Sequence, residues 1–550
     1  MRSTINRFTA IVVALAAGTA HAEQVWYNVN GYTSTPEGLE SFTSIAVGDD
    51  GHVIATGDDA LRERFTDATL HDGEGRTLLP GLADAHAHLY SQGQLEAEVD
   101  LVATTSLDAA LDRIRDYASS NPRVPWILGR GWNQVLWEGK AFPTAADIDG
   151  VVDDRPVVLR RIDGHASWAN SKALEIAGID RDTPDPIGGK ILRDANGNAT
   201  GVLIDRAMGL VSRHVPEPDK DTIRKSYRAA NDLLVSLGLT SIHDAGINLE
   251  QAEVLLAMAD DGELDIRVAA MLGGAGDVLD GFGEPLTAYG NDHIDIRMVK
   301  LFSDGALGSR GAAMIEPYQD DPENRGLPFW TQEELNALVK KANDRGFQVG
   351  VHAIGDLGNR MVINAFDYAQ GGKPSPLRNR IEHTQIVALE DIPRIRDLGL
   401  IASMQPIHAT SDMNMAEDRV GPDRIRGSYA WRRMLENDIV LASGSDFPVE
   451  LPNPFLGLYA AVTRQDGSVM PEVGWYADQA LTREEALHSF TLAAAIAARQ
   501  EDRLGSLEPG KWADFIIIDR DYFSVPASEI DDIRVLETWV AGEQVFDASN

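Results

Sequence analysis

The chain has 550 residues, which is long enough for more than one domain. Of these residues 43% are hydrophobic and 24% are charged, the composition of a globular protein. Its formal net charge of −36 argues against a partner rich in phosphate, such as nucleic acid. The absence of cysteine excludes disulfides, thiolate metal sites and a cysteine nucleophile, so any metal site has to use histidine, carboxylate or a modified side chain.

The first 22 residues have the pattern of a secretory signal peptide. Arg2 and Arg7 flank the start, an apolar stretch follows over residues 8–17, and Ala20-His21-Ala22 fits the small-x-small cleavage rule. The apolar stretch is shorter than the roughly 18 residues that cross a bilayer, which argues against a membrane anchor. We therefore predict cleavage after Ala22, export to the periplasm, and no membrane association of the mature protein.

Eight short β-rich segments follow one another along the chain, most of them ending in polar residues. They are Leu78–His88, Thr240–Gly246, Ile266–Leu272, Arg297–Asp304, Gln348–Gly355, Arg380–Gln385, Leu400–Pro406 and Ile439–Asp446. Helix-like stretches such as Thr331–Arg345 and Leu389–Leu398 lie between them. Strand–helix alternation at a spacing of about 30 residues predicts an α/β fold, a (β/α)₈ TIM-like barrel with its active site at the carboxyl ends of the strands.

Other units interrupt and flank the predicted barrel. His88 and His243 are 155 residues apart, more than one β/α unit needs, so residues 105–205 are predicted to form a large insertion after the first strand that acts as a substrate or lid domain. A second long connection, 305–330, follows the fourth strand. The β-rich ends, 23–77 and 490–550, are predicted to form one composite β-sandwich, which leaves 78–104 and 206–489 for the barrel.

His86 and His88 are separated by one residue on the first predicted strand. Side chains alternate between the two faces of a strand, so both imidazoles point the same way and can share one metal ion. Alone this signal is weak, because two surface histidines also produce it. Its weight comes from the other strand ends.

Three more strand ends carry side chains that can bind a metal. His352 ends the fifth predicted strand, His383 the sixth and Asp446 the eighth. Each alone fits a core histidine or an aspartate that caps a turn. Because the carboxyl ends of barrel strands meet at one mouth, the whole set predicts a metal centre there.

Lys300 stands within the apolar fourth strand. A buried lysine is costly unless it is paired or neutralised. One interpretation is a side chain that crosses the barrel and reaches solvent with its amine. The other is carboxylation by CO₂, which converts the cation into a carbamate able to bridge two metal ions.

These motifs resemble the amidohydrolase superfamily, most closely its N-substituted formamide deformylase-like branch, amidohydrolase family 3. The resemblance covers nearly the whole mature chain. It is carried by the segments 80–88, 163–170, 299–305, 404–408 and 504–514 and by the motifs around His352, His383 and Asp446. The sequence departs from the branch's pattern in the insertion, where Asp205 replaces an expected glutamate and Asn133 a commoner aspartate. These departures put substrate contacts in doubt rather than the metal centre.

The resemblance implies one or two divalent ions, with zinc favoured, bound at the predicted centre. In this scheme His86, His88 and Asp446 hold one ion, His352 and His383 hold a second, and N6-carboxylated Lys300 bridges them. The implied activity is hydrolysis of a C–N bond, an amide or an N-acyl or N-formyl group, in a small molecule by metal-activated hydroxide.

Further residues are assigned provisional roles in this reaction. Asp446 is the candidate general base. Trp132, His165 and His408 are candidate substrate contacts, with packing of the insertion as an equal alternative. No macromolecular partner is predicted other than a second copy of the chain, and a homodimer and a monomer both stay open.

Three alternative functions stay open beside this one. Nucleophilic serine catalysis is disfavoured because the chain has no Gly-x-Ser-x-Gly elbow. A deaminase, a lactonase or a cyclic-amide hydrolase could use the same metal centre. A non-catalytic exported metal-binding protein is the third, and complete metal loading without any hydrolysis would favour it.

Overall fold

The structure is a computed structural model, described here for residues 22–102, 104–161, 166–186, 189–308 and 310–549. Within these ranges no helix has the length and apolar character that a membrane crossing requires. The predicted signal peptide, residues 1–22, lies outside the described residues except for Ala22.

Eight parallel strands form the central sheet, and each overlaps one of the eight predicted segments. In spatial order they are Leu82–Ala87, Leu239–Ile247, Arg267–Leu272, Ile294–Phe302, Gln348–His352, Arg380–Glu382, Ile401–Met404 and Leu441–Ser443. A short antiparallel strand, Leu286–Ala288, pairs with the fourth. The strands are buried almost throughout, as expected of a parallel sheet covered by helices.

Backbone hydrogen bonds after the last strand bring it against the first. The amide of Asp446 donates to the carbonyl oxygen of His86 at 2.8 Å. The amide of His88 donates to the carbonyl oxygen of Phe447 at 2.9 Å. The sheet is therefore a nearly closed barrel, and the predicted fold class is confirmed. Closure places the end of the first strand beside the end of the eighth.

The first predicted segment, Leu78–His88, divides at Gly81 into strands of two different sheets. Thr77–Pro80 belongs to a terminal sheet and Leu82–Ala87 to the barrel. A Cβ on Gly81 would lie 2.1 Å from Thr240 Oγ1, so only glycine allows this close approach to the second strand. The Gly81 amide donates to the carbonyl oxygen of Asp514 at 2.8 Å, which joins the break to the carboxyl-terminal part of the chain.

Helices cover the outside of the barrel and follow most of its strands. They are Leu89–Ala97, Lys220–Ser236, Leu249–Asp260, Asp277–Phe282, Gln332–Asp344, Asp356–Gln370, Ile392–Asp397, Pro406–Asp412, Ala416–Arg424, Trp431–Glu436, Pro454–Thr463, Arg483–Ser489 and Leu492–Ala497. The helix Gln332–Asp344 has Thr331, the first residue of the predicted helical stretch, as its N-cap. Thr331 and Glu334 form a reciprocal capping box. Leu492–Ala497, which the predicted boundary at 490 assigns to the sandwich, packs its alanines against barrel strands.

Both chain ends contribute to a pair of sheets beside the barrel. One sheet has the strands Ala22–Tyr27, Ser44–Gly48, Val53–Gly57 and Thr69–Asp72. The other has the strands Asn30–Thr35, Gly38–Phe42, Thr77–Pro80, Phe515–Ile518, Val535–Val540 and Glu543–Asp547. A shared core, which includes Trp26, Phe515 and Trp539, is drawn from both ends of the chain.

The insertion after the first barrel strand has a sheet of its own. Its six strands are Val99–Asp100, Ile127–Trp132, Val157–Arg161, Ala166–Ala169, Gly189–Arg193 and Ala199–Asp205. Helices Leu107–Ser120, Ala145–Asp149 and Ser171–Ile176 accompany it, and two separate hydrophobic clusters pack within this unit. The insertion is therefore a folded unit rather than an extended loop.

Candidate metal centre

Histidine and carboxylate side chains from the first and eighth barrel strands meet at the mouth of the barrel. Asp446 Oδ1 lies 3.2 Å from His88 Nε2 and 3.6 Å from His86 Nε2. One donor atom from each of these three residues lies within 4.8 Å of the other two, close enough to bind one ion. The structure thus brings the predicted first ligand set together.

His86 is fully buried and oriented by a carboxylate. Its Nδ1 lies 2.6 Å from Glu382 Oε2, so this nitrogen carries the proton and Nε2 is left as an acceptor facing the cluster. Burial and the charge of Lys300 lower the pKa of His86 to about 4. The ring is therefore neutral at pH 7, which is the form that binds metals.

His352 and His383 stand side by side, with ring centroids 4.5 Å apart. Burial lowers the pKa of His352 to about 3, so it too is neutral at pH 7. His383 Nδ1 lies 2.8 Å from Gln405 Oε1, which leaves Nε2 of this ring free. Its ring centroid is 4.7 Å from that of His86, so the predicted second pair adjoins the first ligand set.

Lys300 points into the barrel rather than to solvent. It is 1% exposed, and its Nζ lies 2.9 Å from His86 Nε2. Among the described residues no carboxylate lies within ion-pair distance of this amine. Burial lowers the pKa of Lys300 to about 8, which makes the neutral amine accessible near pH 7. The interpretation in which the amine reaches solvent is wrong.

His408 lies in this cluster, although the sequence indicates only a substrate contact. It is on the helix Pro406–Asp412 directly after the seventh strand, and its Nε2 is 3.8 Å from Asp446 Oδ2. Donor atoms of His383, His408 and Asp446 lie within 4.8 Å of one another. His408 is therefore also within reach of an ion.

The polar atoms of this cluster have the properties of a metal site. His352 Nε2, His408 Nε2 and Asp446 Oδ1 are buried and have no hydrogen-bond partner in the described part of the chain. Leaving buried polar atoms unsatisfied is costly, and a bound cation is a suitable partner for such atoms. His408 and Asp446 belong to groups that could hold an ion, whereas His352 is in neither group. Neutral imidazoles with a carboxylate are a donor set that suits zinc. The two donor groups, His86, His88 and Asp446 and His383, His408 and Asp446, fit a divalent ion.

Two residues of this cluster have strained backbones. His383 has φ of 72° and Asp446 has φ of 62°, in the left-handed region that side chains with a Cβ seldom occupy. Each such residue costs of order 1–3 kcal/mol and persists only where the surroundings impose it. His383 directly follows the sixth strand and Asp446 comes three residues after the end of the eighth, and both side chains lie in the donor cluster at the mouth.

The structure describes only one of the two candidate substrate contacts in the insertion, Trp132. Trp132 is 0% exposed, its indole nitrogen donates to the Leu159 carbonyl oxygen at 2.8 Å, and its ring packs on Trp168. The structure places Trp132 in the core of the insertion and supports the packing alternative. His165 lies outside the described residues. The side chain of Asp205 is also not described. Asn133 Oδ1 accepts a hydrogen bond from Arg161.

Sequence reasoning missed the ion pair of Arg380 and Glu382 beneath the histidines. Both are 0% exposed, and Arg380 donates to Glu382 through Nε at 2.8 Å and Nη2 at 3.0 Å. Glu382 in turn accepts from His86. The signal was available, because two charged residues at alternate positions of a short apolar strand point to the same side of the sheet.

Asp84 is a further missed residue, and it holds the first and last strands together. Its carboxylate accepts from the Ser445 amide and hydroxyl, the latter at 2.6 Å, and from the His86 amide at 3.0 Å. These bonds connect the two chain segments that carry the first ligand set. The alternate spacing of residues 84, 86 and 88 indicated a shared face.

The fold and the donor cluster are those of a metal-dependent hydrolase with an (β/α)₈ barrel. A sequence profile described as the amidohydrolase family matches residues 69–546, and the chain belongs to this family. The predicted superfamily and enzyme class, a hydrolase acting on C–N bonds other than peptide bonds, are confirmed.

Individual relatives agree with this membership. YtcJ of Bacillus subtilis, which carries a provisional amidohydrolase name, is 32% identical over 96% of this chain and 99% of its own. The N-substituted formamide deformylase of Arthrobacter pascens is 26% identical over 89% of this chain and 92% of its own. An uncharacterized metal-dependent hydrolase from Pyrococcus horikoshii has a similar structure, with a TM-score of 0.78 and 28% identity over 92% of this chain and 99% of its own.

Proposed function

We propose that this protein is an exported zinc-dependent amidohydrolase that hydrolyses the amide, N-acyl or N-formyl bond of a small molecule. The observation that carries the proposal is the set of unpartnered, buried histidine and carboxylate atoms at the barrel mouth. The name of the Arthrobacter relative, an N-substituted formamide deformylase, supports a formyl or acyl amide as the substrate class.

In this proposal His86, His88 and Asp446 hold one ion, and His352 and His383 a second. A bound divalent ion supplies a Lewis acid for the scissile carbonyl and lowers the pKa of an attacking water. Asp446 accepts the proton of that water and returns it to the leaving nitrogen. Its two oxygens face different neighbours, His88 on one side and His408 on the other, which suits a proton carrier.

The role of Lys300 in this proposal is that of a carboxylated ligand between the two ions. The neutral amine attacks the carbon of CO₂, so that an N–C bond forms while one C–O π bond breaks and its electron pair moves to oxygen. The nitrogen then releases one proton to solvent, which leaves an anionic carbamate. A lysine with a lowered pKa, buried among histidines, has the properties that this step needs. The carbamate carries the negative charge that a site of mainly neutral imidazoles lacks for two dications.

Removal of the metal is the direct test of this function. Protein dialysed against a chelator should lose hydrolysis of N-formyl and N-acetyl amines, and one to two equivalents of zinc should restore it. Elemental analysis of the purified protein checks the stoichiometry. A metal-free protein with full activity would refute the proposal.

Substitution of Lys300 tests the bridging role. Lys300→Ala should lose most of the activity and one of two bound ions, because the carbamate is gone and only imidazoles remain at the second ion. Added short carboxylic acids, which can occupy the vacated space, should restore part of the activity. Unaffected turnover in Lys300→Ala would eliminate the bridging role.

Export and partners belong to the same proposal. The signal-like features of residues 1–22 support cleavage after Ala22 and a periplasmic location. The acidic charge supports a small-molecule substrate rather than nucleic acid. Whether the mature chain is a monomer or a homodimer is measured by light scattering.

A further inference from the structure

The histidines of the two donor groups are supported from behind by different kinds of side chain. His86 Nδ1 lies 2.6 Å from the carboxylate of Glu382, whereas His383 Nδ1 lies 2.8 Å from the amide oxygen of Gln405. Both partners are buried, since Glu382 is 0% and Gln405 3% exposed. A charged acceptor therefore supports an imidazole of the first group, and a neutral acceptor supports an imidazole of the second.

A carboxylate behind a ligating histidine strengthens the bond between that histidine and its ion. It forms a charge-assisted hydrogen bond with the Nδ1 proton, fixes the ring and raises the basicity of Nε2. Glu382 does this while it is also paired with Arg380, because its Oε2 accepts from both Arg380 and His86. Gln405 fixes the ring of His383 in the same way, but a neutral amide raises the basicity of Nε2 less.

No other carboxylate compensates for this difference in the part of the chain that the structure describes. Within those residues none accepts a hydrogen bond from His383. Asp304 Oδ1 is 3.7 Å from His352 Nε2, which is longer than a hydrogen bond, and the Asp304 carboxylate accepts from three backbone amides instead. Asp446 belongs to both donor groups, and the carbamate proposed for Lys300 contacts both ions, so neither group favours one ion.

We propose that Gln405 is a positioning residue that makes the ion at His383 the more weakly bound of the two. The ion at His86 and His88 then fills first and stays bound, whereas the ion at His383 fills last and exchanges with metal in the surroundings. The protein is fully loaded only while the free zinc concentration is high enough to fill the second position. This inference rests on the proposed function, which places an ion at each of the two sites.

Exchange of the amide for a carboxylate tests this role without any turnover. Gln405→Glu keeps an acceptor for His383 and replaces only Nε2 of Gln405, which has no hydrogen-bond partner among the described residues. The substitution therefore breaks no hydrogen bond. Zinc titration of the metal-free protein against a chromophoric chelator should resolve two affinities in the wild type. In Gln405→Glu the weaker affinity should rise by about 10–100-fold, the size of such outer-partner effects, while the tighter affinity stays unchanged.

Three further variants assign the weaker step and control for the added charge. His383→Ala should remove the weaker step, which identifies the ion that this step reports. Gln134→Glu is the matched control, because Gln134 is also buried but its Oε1 accepts from Arg161 Nε at 2.9 Å rather than from an imidazole. It should leave both affinities unchanged. If Gln405→Glu fails to fold, Gln405→Met removes the acceptor and should lower the weaker affinity by about 10–100-fold.

The zinc titrations also define the results that overturn the inference. Two equal affinities in the wild type would do so, as would a weaker affinity that neither Gln405 variant changes. A rise of the same size in Gln134→Glu would mean that any added charge has this effect. If the wild type binds a single ion, two ions in Gln405→Glu support the inference and a single ion there overturns it.

Hydrolysis of N-formyl and N-acetyl amines by the zinc-loaded protein separates this inference from the proposed function. Two unequal affinities that respond to Gln405→Glu, together with no hydrolysis of either amine, overturn the function and keep the inference. Zinc-dependent hydrolysis together with two equal affinities keeps the function and overturns the inference.

Discussion

Asp446→Asn should retain most of the bound metal, and its kcat/KM for hydrolysis should fall by about 10²–10⁴-fold, the usual contribution of a general base. The amide oxygen of asparagine can still face His88 and bind an ion. It cannot accept a proton at neutral pH, so the attacking water stays protonated. Metal content is measured by elemental analysis, and kcat/KM is measured on an N-formyl amine.

The control for this variant is Asp356→Asn. Asp356 is another buried aspartate, 4% exposed, whose carboxylate accepts from the Ile315 amide at 2.8 Å outside the donor cluster. This variant should keep near wild-type turnover once folded. Wild-type rates in Asp446→Asn with metal bound would remove Asp446 as the base.

Glu382→Gln should weaken both metal binding and stability, because Glu382 is the partner of His86 and of Arg380. Loss of the carboxylate leaves Arg380 buried without a counter-charge, which costs about 3–5 kcal/mol. It also removes the group that orients His86, and such outer partners contribute about 10–100-fold to metal affinity. Denaturant unfolding of the metal-free protein measures the first effect, and zinc titration against a chelator the second.

Asp514→Asn provides a matched control. Asp514 forms a comparable buried pair with Arg267, with Nε–Oδ2 at 2.7 Å and Nη2–Oδ1 at 3.0 Å, at the start of the third strand. This variant should be destabilised to a similar degree and keep its zinc affinity. Equal loss of affinity in both variants would mean that Glu382 acts only through stability.

Local patterns in the sequence were sufficient for the barrel and for most of the donor cluster. Buried parallel strands appear as short apolar runs between helices, and each of the eight runs predicted a real strand. Alternation along a strand predicted that His86 and His88 share a face, and strand ends located His352, His383 and Asp446. These inferences succeed because they depend on spacing within one segment and on a known fold.

Other features could not be read from one segment. Trp132 lies in a Gly- and Trp-rich stretch typical of a binding loop, but the insertion folds around it and buries it. The division at Gly81 depends on Thr240, which approaches from another strand. The helix Leu492–Ala497 packs against the barrel because its alanines fit barrel strands such as the first.

The sequence by itself determined the number and order of the barrel strands, the kinds of side chain in the donor cluster and the apolar setting of Lys300, since all of these follow from residue type and period. Only the tertiary structure decided that His408 joins the donor cluster and that Glu382 orients His86. Each of these is a contact between residues on different strands or loops. Barrel closure creates such contacts, and no local pattern encodes which side chains it brings within a few ångströms of each other.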